Sequence, residues 1–146
     1  MLSNFFSFMT VVLLSMFKFI AGPLAGAGLK LPITYTVIAT ITGMMLSVLL
    51  ISFAGPFIKK NIIHRFWPPK VLFSKKNRRI VSIWKKYGML GVAFLTPILL
   101  SPIVGTLIAA NFGEKASRVI MYMFISALLW SIGISTLIYQ LKQVLV

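Results

Sequence analysis

The chain has 146 residues, carries a formal charge of +14 from fifteen Lys and Arg against a single acidic residue, and is 59% hydrophobic with a mean hydropathy of +0.98. A soluble domain of this length cannot hide so much apolar surface in one core, so the composition predicts an all-α integral membrane protein, one polytopic domain with about four apolar segments. With no Cys, no Asp, one His (His64) and one Glu (Glu114), the chain builds neither a thiolate nor a carboxylate metal cage and no general acid/base pair, so no metal, no cofactor and no enzymatic activity are expected.

The first apolar block, Asn4 to Ala21, reads as a membrane helix whose only charge, Lys18, lies close enough to its end to snorkel toward an interface. A signal peptide is the rival reading, because Ala25-Gly26-Ala27 has the small residues of a cleavage site. Against it, only the terminal amine is positive before the run, and Lys18 interrupts the apolar stretch. The segment Gly22-Pro23 to Gly28 is rich in Gly and Pro yet nearly free of polar side chains. Backbone that leaves a helix at membrane depth must be shielded by protein or line a wet cavity, so this is a candidate re-entrant or close-packed element; the alternative is a short turn outside the membrane. Pro32 suits a first helical turn, and Ile33 to Phe53 supplies a full span. Ala39, Gly43 and Ser47 recur every four residues along it, a shallow stripe that lets another helix backbone approach.

The basic residues gather in the middle. Lys59, Lys60, Arg65, Lys70, Lys75, Lys76, Arg78, Arg79, Lys85 and Lys86 fall between the two apolar halves, the pattern of a cytoplasmic loop that touches anionic headgroups. The chain therefore divides into a first half over 1–57, a basic cytoplasmic or interfacial loop over 58–87 and a second half over 88–146. The partners expected are membrane lipids, anionic ones above all, and a second copy of the chain. Nucleic acid is not expected, since no soluble fold presents the patch. Ile80, Ile83, Trp84 and Tyr87 at helical spacing beside Arg78, Arg79, Lys85 and Lys86 predict a helix on the membrane surface, with Trp67, Trp84 and Tyr87 at headgroup depth and Trp67-Pro68-Pro69 as an interruption upstream.

Gly88 to Asn111 contains Thr96-Pro97, Ser101-Pro102 and Gly105-Thr106. A continuous helix is broken twice, each interior Pro costing about 3 kcal/mol unless compensated, so the segment reads either as a kinked span or as a helix-break-helix hairpin that enters and leaves on one side. Glu114, just before the last block, suits a helix N-terminus and an ion pair with Arg118, while Lys115, like Lys18 and Lys30, is placed to meet an anion at an interface. The last block, Val119 to Tyr139, carries a second small-residue stripe, Ala127, Ser131 and Ser135. A faint duplication aligns Ala25-Gly26-Ala27-Gly28-Leu29-Lys30 with Ala110-Asn111-Phe112-Gly113-Glu114-Lys115, which predicts two halves of similar plan.

On Lys86-Tyr87-Gly88 through Leu99-Leu100-Ser101-Pro102-Ile103-Val104-Gly105-Thr106, followed by Phe124 to Trp130, the chain resembles the small multi-drug export protein family and, more distantly, is similar to the DedA or VTT-domain lipid scramblases. The resemblance covers about residues 18 to 142 and implies re-entrant elements paired with spanning helices in a transport or lipid-translocating protein. DedA-like proteins typically carry an acid in the first re-entrant element and an Arg near the second. Here residues 22 to 32 hold no acid and 96 to 106 no Arg, so the resemblance implies geometry, at Gly22-Pro23 and at Pro97 to Gly105, without the proton-coupled or phosphate-clamping mechanism.

The expected function is passage of a small amphiphile or anionic lipid through a cavity between the halves, in a bacterial or archaeal cytoplasmic membrane. The transport candidates are Gly22, Pro23, Lys30, Thr96, Pro97, Ser101, Pro102, Gly105, Thr106, Glu114 and Lys115. Two other classes stay open: a proton-coupled drug exporter, for which Glu114 is the only carboxylate, and a nontransporting membrane subunit. If every block spans once, both termini lie in the cytoplasm; a re-entrant block changes that.

Overall fold

A computed structural model describes residues 2–58, 75–99, 101–111 and 113–145, and every regular element among them is helical. His64, Trp67-Pro68-Pro69, Lys59, Lys60, Arg65 and Lys70 lie outside the described residues. The elements are α1 (Leu2–Phe17), α2 (Ala21–Gly28), α3 (Ile33–Ile58), α4 (Lys75–Leu99), α5 (Pro102–Asn111) and α6 (Ala116–Leu145).

The first apolar block is not one helix. It ends at Phe17, and Lys18 to Ile20 turn the chain through short bonds, Ala21 N–H to Lys18 O at 3.0 Å and Gly22 N–H to Phe19 O at 3.1 Å. Helix α2 then runs back along α1. Pro23 falls in its first turn, where a missing donor costs nothing, so the Gly-Pro segment is helical after all.

Gly43 of α3 lies against the Val12 carbonyl and Ser47 donates to the Met16 carbonyl at 2.8 Å, so α1 and α3 run parallel. Gly22 lies against Thr40 and Gly26 against Thr36, so α2 runs antiparallel to α3. The pair α1–α2 is thus a helical hairpin whose tip reaches the middle of α3. At that tip Phe19 is fully buried in a cluster with Met44, Val48, Ala93, Ala109 and Met123.

Gly88 divides α4. Its backbone, φ 62° and ψ −150°, belongs to a region open essentially to glycine, and the chain changes direction between Tyr87 and Met89. Upstream, Trp84 packs on the central cluster while Tyr87 is exposed. Downstream, 89–99 and α5 form a second hairpin, with Pro97 inside its first arm and Ser101 and Pro102 at its break. Ser101 caps α5 by accepting from Val104 N–H at 3.2 Å, and Pro102 takes the first helical position.

The long helices α3 and α6 cross at the centre, antiparallel: Ser131 donates to Val37 O at 3.2 Å, and Tyr139 to Leu31 O at 2.6 Å. Each short helix also packs on the long helix of the other half, α2 on α6 and α5 on α3. The two small-residue stripes do not meet. Ala39, Gly43 and Ser47 face α1, whereas Ala127 and Ser131 face α3.

Two helices, Ile33–Ala54 and Ala116–Leu145, are long and apolar enough to cross a membrane, and Leu2–Phe17 is apolar but shorter. Ser15, Thr36, Thr40, Thr96, Thr106, Ser126, Ser131 and Ser135 are buried, while Phe5, Phe6, Phe17, Leu50, Phe53, Leu90, Leu129 and Leu137 are exposed.

Candidate functional site

Inside the hairpins, hydroxyls are held by backbone. Ser15 donates to Val11 O at 2.7 Å and Thr96 to Val92 O at 2.6 Å, each one helical turn back. A Cβ on Gly22 would strike Ser15 Oγ, and one on Gly105 would strike Thr96 Oγ1; the arms approach this closely only because both positions are glycine. Thr106 donates to Pro102 O at 2.7 Å and Thr40 to Thr36 O at 2.7 Å. Of the transport candidates, Gly22, Pro23, Thr96, Pro97, Pro102, Gly105 and Thr106 are therefore buried packing positions, and Ser101 is the α5 cap.

Glu114 pairs with Arg118 at 3.5 Å, and its N–H donates to Ala109 O at 3.2 Å in the turn before α6. Arg118 is mostly exposed, so the pair contributes little, of the order of a few tenths of a kcal/mol. Lys115 is exposed beside it. Both sit at the α6 N-terminus, away from Lys30, which lies at the far end of the helix pair.

Lys30 adopts φ 57°, the left-handed conformation that ends α2: its N–H donates to Ala27 O at 3.3 Å and Leu31 N–H reaches Gly26 O at 3.0 Å. The α5 end closes the same way on Gly113, φ 80°, with Gly113 N–H to Ala110 O at 3.1 Å and Glu114 N–H to Ala109 O at 3.2 Å. Lys30 and Gly113 thus take the same positive-φ place in two turns of like geometry. A side chain in this conformation costs about 1 kcal/mol that glycine avoids.

Around that turn the last helix completes a groove of about 480 Å³ lined by Lys30, Leu31, Tyr139, Lys142 and Gln143. Tyr139 hydroxyl bridges Thr36 Oγ1 at 2.7 Å and Leu31 O at 2.6 Å, and Lys142 Nζ donates to Ala27 O. Lys142 thereby offsets the partial negative charge at the end of α2 and keeps two further donors. Ser135, one turn inward from Tyr139, is fully buried, and its Oγ has no hydrogen-bond partner. Comparison with family models, with curated proteins and with solved structures returns no match.

Tyr139, Lys142 and Gln143 were not among the sequence candidates. They lie in the final turns of an apolar helix, and nothing local marks them. Their one sequence signal is the spacing Ser131, Ser135, Tyr139, Lys142, which sets four polar residues on one face of α6. Among the described residues no group of three or more His, Cys, Asp or Glu is placed to hold a metal ion.

Proposed function

We propose that the chain is an integral membrane protein of the bacterial or archaeal cytoplasmic membrane that passes a small amphiphile or anionic lipid between two halves of one plan. Each half is a helical hairpin followed by a long helix, 2–28 with α3 and 89–111 with α6. The matched pairs Ser15/Gly22 and Thr96/Gly105, Val12/Gly43 and Ala93/Ser126, and the turns at Lys30 and Gly113 support the duplication. Because α3 and α6 run antiparallel, the two-fold axis relating the halves lies perpendicular to them, hence in the membrane plane.

The observation that carries the reading is the pair of broken hairpins, the first with its tip beside the middle of α3. A scaffold gains nothing from interrupted helices, whereas a translocation path needs polar backbone and hydroxyls at depth, shielded from lipid. In this reading α1–α2 and 89–111 are re-entrant, only α3 and α6 span, and exposed apolar side chains such as Phe53 and Leu129 face lipid or a second copy. The basic residues from Lys59 to Lys86 mark the cytoplasmic face, so both termini lie on the opposite face, unlike the arrangement expected if every block spans once. The proton-coupled exporter reading is the weaker, since Glu114 is engaged by Arg118 at a helix start.

The test is reconstitution in liposomes with a fluorescent anionic phospholipid in the inner leaflet and an external quencher. Faster exposure than in empty vesicles, lost on Pro97→Ala with Pro102→Ala, is the expected result. Exposure no faster than in empty vesicles removes the lipid reading.

A further inference from the structure

Resting on that transport reading, we propose that the groove between the end of α2 and the last turns of α6 is an anionic-headgroup site that takes the phosphate of an amphiphile, with Lys30 and Lys142 as its cations. Two features point there. Lys30 holds a left-handed backbone conformation that glycine adopts without strain, so the chain carries a cation where glycine would relax the turn. Lys142 approaches from α6 and uses one of three donors on Ala27 O, leaving two for a ligand.

Beside the cations the surface turns apolar, with the neighbouring Leu29 and Leu141 exposed, and an acyl chain would lie there. Under the topology above, the site opens on the face opposite the basic segment, where an amphiphile enters or leaves.

The full chain, purified in a zwitterionic detergent, is titrated with a short-chain phosphatidylglycerol, a phosphatidylcholine of the same chain length and inorganic phosphate, reading the unfolding temperature and fitting the affinity. The anionic lipid is expected to raise the unfolding temperature and the zwitterionic one to leave it unchanged. Lys30→Gly should bind the anionic lipid about fivefold more weakly, the worth of one lysine at a lipid headgroup. Its ligand-free unfolding temperature should be equal or higher, since the turn relaxes; a purely structural lysine would leave affinity intact. Lys142→Gln should weaken binding by a similar factor. Undiminished affinity in both variants, or equal shifts from both lipids, overturns the site. Inorganic phosphate binding as tightly as the anionic lipid overturns the amphiphile assignment in favour of a free anion. In the liposome assay, a wild-type chain that binds the anionic lipid without exposing it to quencher sinks transport and leaves the site standing. Wild-type transport matched by Lys30→Gly with undiminished binding sinks the site alone.

Discussion

Ser126 of α6 donates its hydroxyl to the carbonyl of Ala93 at 2.6 Å, and Ala93 is the residue whose helical donor is missing because position 97 is proline. The third helix of the second half thus repairs the bond that its own hairpin arm gives up. Ser47 does the same for Met16 O near the end of α1, at 2.8 Å. Both bonds convert a broken helix, which would be unstable alone in hydrocarbon, into a docked one.

Ser126→Ala should cost about 1 to 3 kcal/mol, because it strands a buried carbonyl. Pro97→Ala restores an N–H to that carbonyl, so the double variant should recover much of the loss. A double-mutant cycle by denaturant unfolding in detergent measures the coupling, and strictly additive losses would refute the repair.

Gly105→Ala should destabilise the fold by about 1 to 3 kcal/mol, because the new methyl meets the Thr96 side chain, Cβ included, which its bond to Val92 O holds in place. Gly133→Ala is the matched control: nothing lies within 4 Å of its added carbon, and alanine favours the helix by about 0.5 to 1 kcal/mol. Unfolding curves that rank the two alike would show that the arms of the second hairpin are not this close.

Gly88→Ala strains a backbone region that side chains avoid, at a cost of about 1 to 3 kcal/mol. The expected outcome is a lower unfolding temperature with helix content by circular dichroism unchanged or raised, as the two pieces of α4 straighten into one. A variant indistinguishable from wild type would mean that the kink is not a built feature.

The chain contains no cysteine, so single-cysteine variants at Ser3, Lys86 and Gln143 can be labelled without removing a background. In oriented vesicles an impermeant thiol reagent should reach Ser3→Cys and Gln143→Cys from one side and Lys86→Cys from the other. Labelling of all three from one side is the outcome of four single spans and would discard the two-hairpin topology.

The sequence by itself determined the helical class, the break among Pro97, Ser101 and Pro102, and the pairing of Glu114 with Arg118, because composition, proline and i,i+4 spacing act through local chemistry; it expected about four apolar segments, of which two form helices long enough to cross a membrane. It misread Asn4 to Ala21 as one helix, and it expected of Gly22 to Gly28 a re-entrant or close-packed element or a short turn without recognising a helix. Hydropathy is blind to a turn made of Lys18, Phe19 and Ile20, and only packing on Thr36 and Thr40 gives two interior glycines a reason to be helical. The tertiary structure alone decided that the small-residue stripes face different neighbours. It also brought Lys30 together with Tyr139 and Lys142, more than a hundred residues away, since a groove is a property of where antiparallel helices end and no local pattern records which ends meet.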